Sequence, residues 1–588
     1  MRLKFLLATL LVAAVPVWAA AASSSDLQAR RDALNKLLAE QWEYSLSHAP
    51  EFASILGDKR WNDQISDFSQ AAIDADHAKT RDFLQRFEAI DTTGFPEQEA
   101  LNQALMVRNL KEELEGAKFK GWLMPVNQIS GIHLLVAQFP SLLSFTTVKD
   151  YDDLITRYKK FPRAFDQTID HMRAGMAAGL MPPKFLLEKV AVQVDGLAHV
   201  PAEKSPFAAP LEKLPKEIPE AEQTRIREQM LAAINGSILP AYVKLGRFVK
   251  EEYLPKGRTE PGMWSLPDGA ARYAFAVKES TTTNLTPEEI HQIGLREVKR
   301  IEGQMAELAK QLGYPDAKAL NAAIEADPKR HFHSRQEILD LYKHYIDQMY
   351  GKLPELFGRL PKAKVEVVPV EEFREKEASG AQYDTGAPDG SRPGRVQVNT
   401  GDAEHRKTIT TESTAYHEGV PGHHMQLSIA QELPTLPPFR QQGGYTAFAE
   451  GWALYSERLG KEVGFYQDPY SDYGRLQDEM LRAIRLVVDT GFHSKHWSRD
   501  QVVKFFHDHS GIDEVEVQSE TDRYIVWPGQ ALAYKIGQLK ITELRERAKK
   551  ALGPRFDIRK FHDEVLGAGA LPLDVLERRI DNWIAAEK

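Results

Sequence analysis

Thr411-Glu412-Ser413-Thr414-Ala415-Tyr416-His417-Glu418-Gly419-Val420-Pro421-Gly422-His423-His424-Met425-Gln426 sets three imidazoles and the Glu418 carboxylate close about a Pro-Gly pair, with a second carboxylate, Glu412, further off. A His-Glu pair on a helix, with a second His on the same face, binds zinc through both imidazoles. The glutamate then serves as general base on the metal-bound water. The usual spacing is four residues, because about 100° per residue returns the second His to the face of the first. Here His423 follows His417 by six residues and His424 by seven. In an unbroken helix His423 would point roughly 240° away, and His424 would lie about 10 Å along the axis. Pro421 cannot continue a regular helix, and Gly422 tolerates unusual dihedrals. A bulge that loops out two residues would return His423 to the four-apart position, and such bulges are frequent at functional sites. His423 is therefore the expected second ligand, and His424 is the alternative.

Working outward, a catalytic zinc needs a third protein ligand. Residues 445–455 read as an apolar helix in which Glu450 is the only acid, flanked by Phe448, Trp452 and Tyr455. A lone carboxylate there is costly unless paired or metal-bound, so Glu450 is the expected ligand. Glu457 lies where it can support the site from behind. A hydrolase of this kind also needs a donor to its oxyanion, and His493, Tyr524 and Tyr534 are the candidates. Arg392, Arg482, Arg485 and Arg523 are able to hold a substrate carboxylate, although ordinary ion pairing is the plainer role for most of them. The pairs His331/His333 and His507/His509 lack a companion acid on an apolar helix and read as surface.

The 588 residues are 42% hydrophobic and 27% charged, an ordinary globular composition. There is no cysteine, which excludes disulfides, thiolate metal sites, cysteine nucleophiles and a lipidated cysteine. A net charge of −9 argues against nucleic-acid binding. Arg2 and Lys4, an apolar run over residues 5–18 and small residues after it read as a signal peptide over 1–22. The expectation is an exported, periplasmic protein without stable membrane insertion after cleavage, and not a lipoprotein. Apolar residues three and four apart make residues 23–260 a helical region, with a Gly- and Pro-rich boundary near 255–268. Residues 261–588 form the catalytic region, and the two read as lobes of one continuous unit. Thr286-Pro287-Glu288-Glu289 opens a helix with a capping box. Residues 365–370 and 395–399 are β-like, so the fold class is mainly α with a small β-sheet. There is no Gly-x-Ser-x-Gly elbow for a serine hydrolase.

The segments His417-Glu418-Gly419-Val420-Pro421-Gly422-His423-His424, Ala449-Glu450-Gly451-Trp452-Ala453-Leu454-Tyr455 and Pro528-Gly529-Gln530-Ala531-Leu532-Ala533-Tyr534-Lys535, with Asp389-Gly390-Ser391-Arg392-Pro393-Gly394, resemble the bacterial DUF885 family. That family looks like a branch of the zincin metallopeptidases whose third ligand is glutamate. The resemblance implies a helical cleft beside a small sheet, with residues 395–399 as the edge strand that receives an extended peptide. The expected activity is zinc-dependent hydrolysis of short peptides, with one Zn²⁺ on His417, His423 and Glu450 and with Glu418 as general base. The alternatives are hydrolysis of a non-peptide amide, and a non-catalytic binding protein with a degenerate site.

Overall fold

Three- and four-residue apolar spacing turns most of the chain into helices, and burial of their apolar stripes builds the core. The computed structural model describes residues 17–376 and 378–588, with side chains from residue 25 onward. The leader read over 1–22 lies outside the described residues except for its last six, which begin the helix Val17–His48. In the first half of the chain, helices Val148–Ala177, Lys184–His199, Glu220–Ala233 and Leu239–Phe248 close over Phe161, Phe165, Leu187, Val194 and Tyr242. Short 3₁₀ turns at Leu254–Lys256 and Met263–Ser265 occupy the Gly- and Pro-rich stretch.

The helices that build the site come after it: α1 Pro287–Gln311, α2 Arg335–Tyr350, α3 Thr411–Glu418, α4 His423–Gln431, α5 Thr446–Glu457, α6 Pro469–Ser494, α7 Glu514–Val526 and α8 Ala533–Leu552. Thr286 caps α1 in the expected capping box with Glu289. Helix α6 starts well before the amphipathic stretch at 480–493, and its long buried face packs on α1, α3 and α8.

The sheet has three strands, β1 Val365–Pro369, β2 Ala381–Asp384 and β3 Gly394–Val398, in the order β1-β3-β2. β1 runs parallel to β3, with Val367 opposite Val396, and β2 runs antiparallel, with Tyr383 opposite Val396. This corrects one expectation. The strand within 395–399 is central, and the edges are β1 and β2; the Ala-Gln-Tyr-Asp sequence of β2 has too little β-branched alternation to read as a strand. Val396 and Val398 are buried, which is what fixes β3 in the middle.

Helices α5 and α8 cross at Gly451 and Gly537, each backbone filling the space where the other's side chain would be. A Cβ on Gly537 would meet the Ala447 carbonyl oxygen and lie 2.7 Å from the Gly451 Cα. This crossing sets Glu450 and Tyr534 on one wall. Gly537→Ala is expected to destabilise the chain by about 1–3 kcal/mol through overpacking. Gly303→Ala, on α1 with open space around it, is expected to stabilise by roughly 0.5–1 kcal/mol. Urea midpoints of the two variants check both signs.

Candidate metal centre

Helix α3 ends at Glu418 and α4 begins at His423, so the chain accommodates the long His-to-His spacing by a complete four-residue interruption instead of a two-residue bulge. The Gly419 N–H closes α3 on the Ala415 carbonyl at 2.9 Å, and the Gly422 N–H reaches back to the Tyr416 carbonyl at 2.9 Å. The indole N–H of Trp452 on α5 holds the Pro421 carbonyl at 2.9 Å. A Cβ on Gly422 would collide with the Tyr416 and His417 carbonyl oxygens, so the turn needs glycine there.

The turn aims His423 at Glu450. The His423 Nε2 lies 3.2 Å, and the His417 Nε2 3.6 Å, from Glu450 Oε2. One ligand atom from each of the three residues lies within 4.8 Å of the others. Zinc–ligand bonds of about 2.0–2.1 Å in a tetrahedron put neighbouring ligand atoms roughly 3.3 Å apart, so these separations fit one ion. Among the described residues this is the one group of side chains placed to ligate a metal. His424 is used otherwise. Its Nε2–H donates to the Ala363 carbonyl and its Nδ1 accepts from the Tyr383 hydroxyl, both at 3.0 Å. Burial lowers its pKa to about 4, which suits a neutral structural histidine tying α4 to the sheet.

His417 is oriented from behind. Its Nδ1–H donates to Glu457 Oε1 at 2.8 Å, which leaves Nε2 for the metal. The Arg482 guanidinium stands 3.6 Å from the same carboxylate oxygen. Burial disfavours the charged imidazole, yet hydrogen bonds to Glu450 and Glu457 outweigh it and raise His417 to about 9 without metal. Burial likewise opposes the Glu450 carboxylate, but the positive charge of His423 and the hydrogen bonds from both histidines hold it well below the usual range. Glu457→Gln keeps the shape and weakens this support. It is expected to lower zinc affinity about 10–100-fold, read by competition with a chromogenic chelator.

A cavity of about 500 Å³ opens onto these residues, with β2 along one wall and α6, α7 and α8 along another. Glu418 lines it, directly after His417, and among the described residues no side chain pairs with its carboxylate. Tyr534 also lines it, its ring nearly parallel to His417 with centroids 6.2 Å apart. Its hydroxyl oxygen accepts from Arg523 Nη2 at 2.9 Å and Gln530 Nε2 at 3.4 Å, so its own proton is free to donate. The other two expected oxyanion donors are not brought here. The Tyr524 hydroxyl accepts from Arg485 Nε at 2.9 Å and donates to Glu520 at 2.5 Å in the core. His493 accepts from the Met263 N–H at 3.1 Å and donates to the Tyr524 carbonyl at 2.9 Å. Burial lowers its pKa to about 3.

Asp478 was not singled out in the sequence, although its i,i+4 spacing to Arg482 was the available signal. It accepts from the Ser413 hydroxyl on α3 and from Arg482 at 3.1 Å, so it ties the helix carrying His417 to α6. The pairs His507–Glu514 and His509–Glu302, each 2.7 Å apart, are exposed or half-exposed ion pairs, in keeping with the surface reading.

A family described as bacterial protein of unknown function (DUF885) matches residues 50–580. A solved structure from Colwellia psychrerythraea, described as a "putative lipoprotein", is 30% identical, with a TM-score of 0.89 over 95% of this chain and 99% of that one. A second, from Shewanella oneidensis and described as a "putative lipoprotein of unknown function", shares the fold at 17% identity, with a TM-score of 0.68 over 93% of this chain and 99% of that one. No curated protein matches. The chain belongs to the DUF885 family.

Proposed function

We propose that this DUF885 chain is an exported zinc-dependent metallopeptidase of the zincin kind, acting on short peptides. The observation that carries the reading is the convergence of His417, His423 and Glu450 at zinc-ligand spacing beside the unpaired carboxylate of Glu418. A zinc ion held there supplies Lewis acidity toward a water molecule and a carbonyl. Glu418 takes a proton from the attacking water and delivers it to the leaving amine. Tyr534, its oxygen already occupied by Arg523 and Gln530, donates its proton to the developing oxyanion. The edge strand β2 borders the cavity through Ala381, Gln382 and Tyr383, so an extended peptide has backbone groups to pair with.

Export rests on the leader-like sequence. The kinship with the Colwellia psychrerythraea protein described as a "putative lipoprotein" points the same way; no described helix is long and apolar enough to cross a membrane. The test is a peptide library incubated with zinc-loaded protein, with new termini read by mass spectrometry. Cleavage that follows zinc content supports the reading. A preparation carrying one zinc per chain that cuts no peptide overturns it.

A further inference from the structure

The wall of the cavity next to Tyr534 carries more guanidinium than its neighbours neutralise. Arg482 and Arg485 lie one turn apart on α6, and Arg523 faces them from α7. All three line the cavity. Arg482 has its own partners, Asp478 at 3.1 Å and Glu457 at 3.6 Å, so any surplus falls on the other two. Arg485 and Arg523 share one carboxylate, Glu520, at 2.7 and 3.1 Å. The remaining acceptors on these two are neutral: the Tyr524 and Tyr534 hydroxyls and the Gln530 carbonyl. One N–H group of each arginine has no acceptor at all, namely Arg482 Nε, Arg485 Nη1 and Arg523 Nε. Arg482 is 7% exposed and Arg485 4%, so these groups cannot be left to bulk water. Glu516, one turn before Glu520, also lines the cavity. Burial, and then the charges of Glu520, Asp478 and Asp513, push its carboxyl up to about 7, which weakens it as a counter-charge to the arginines. A surplus guanidinium in a buried wall is costly until an anion joins it.

We propose that Arg485 and Arg523, backed by Arg482, hold the C-terminal carboxylate of the substrate peptide, which makes the chain an exopeptidase acting near the C-terminus. The proposal rests on the peptidase reading and names its substrate class. Two neighbouring guanidinium groups are suited to a carboxylate, since both carry fixed positive charge and each has an N–H group, Arg485 Nη1 and Arg523 Nε, with no acceptor of its own. The position relative to the metal ligands sets the length of the released fragment. The Arg485 guanidinium lies 4.3 Å from the Tyr534 ring centre, and that ring lies 6.2 Å from His417. Arg485 is thus within roughly 10 Å of His417, the reach of about three extended residues. Hydrolysis would consume one water. The new carboxylate stays on the longer N-terminal piece, and the amine leaves with a fragment of about one to three residues.

The probe is an N-acetylated pentapeptide, made once with a free C-terminal acid and once as the amide. Binding is measured by calorimetry to zinc-loaded Glu418→Gln protein, and cleavage is measured with the unsubstituted chain. The acid is expected to bind about tenfold tighter than the amide or better, a charge-assisted contact being lost in the amide. In the Glu418→Gln background, Arg485→Lys keeps a charge opposite Glu520 but removes the unpartnered Nη1 donor, and should bring the ratio close to one with zinc content unchanged. If that variant does not fold, Arg523→Gln gives the same readout. Equal binding of acid and amide, or no binding of either, overturns the carboxylate subsite, even where both peptides are cut. Tighter binding of the acid with no cleavage upholds the subsite and sinks the peptidase reading instead.

Discussion

Glu418→Gln is expected to lower peptide hydrolysis by about 10²–10⁴-fold while the chain keeps one zinc, as befits the loss of a general base. The amide keeps the volume of the carboxylate and loses its ability to accept a proton. Glu418 is suited to this clean separation of binding from chemistry. It lines the cavity, and among the described residues its carboxylate has no ion-pair partner whose charge would be stranded by the change. The three ligand side chains are untouched, so metal content by plasma mass spectrometry should match the unsubstituted protein. The fall should appear in kcat/KM for every peptide alike, because proton transfer is common to all of them. Retention of activity at normal zinc content would remove Glu418 from the mechanism and leave a site that binds metal for another purpose.

The convergence of His417, His423 and Glu450 was legible in the sequence because each of its parts breaks a local rule. His417 and His423 flank a Pro-Gly pair that no regular helix tolerates, and Glu450 is a lone acid among aromatic residues. Such violations point to sites. The path of the turn was not legible. Whether a Pro-Gly interruption bulges or breaks a helix depends on what receives its freed groups, here the Trp452 indole and the Tyr416 carbonyl, both set by tertiary packing. The small sheet was half legible. β1 and β3 are rich in valine, whereas β2 is four mostly polar residues that become a strand only because β3 lies beside them. The choice among His493, Tyr524 and Tyr534 was out of reach for a similar reason. All three sit on helical patterns, and what separates them is tertiary packing: Tyr534 on α8 faces the cavity, whereas His493 on α6 and Tyr524 on α7 are turned into the core.

Stripping the zinc is expected to abolish hydrolysis, leave the chain folded, and make metal uptake steeply pH-dependent. Without the ion, Glu450 pairs with both histidines at 3.2 and 3.6 Å, so the buried cluster keeps internal partners. In that state His417 is raised from 6.5 to about 9. Zinc binds only the neutral imidazole, so below pH 9 the ion has to displace this proton. Apparent affinity should rise about tenfold per pH unit between 6.5 and 9 from this group and level off above that. Calorimetry at pH 7.5 in two buffers of different ionisation heat should report about one proton released per zinc. The same shift bears on stability. A histidine raised in the folded state stabilises fully below its unfolded pKa, and that contribution is lost as pH climbs through the folded value. For His417 the window runs from 6.5 to about 9, and a shift of that size is worth roughly 3 kcal/mol. The buried acids Asp478 and Asp489, raised to about 6 and about 7, act in the same direction but have largely finished titrating by pH 8. A fall in the urea midpoint of metal-free protein between pH 8 and 9.5, absent when zinc is bound, therefore belongs to His417. If the metal-free chain holds its midpoint through that window and releases no proton on binding zinc, the hydrogen bonds to Glu457 and Glu450 are not what keeps His417 charged.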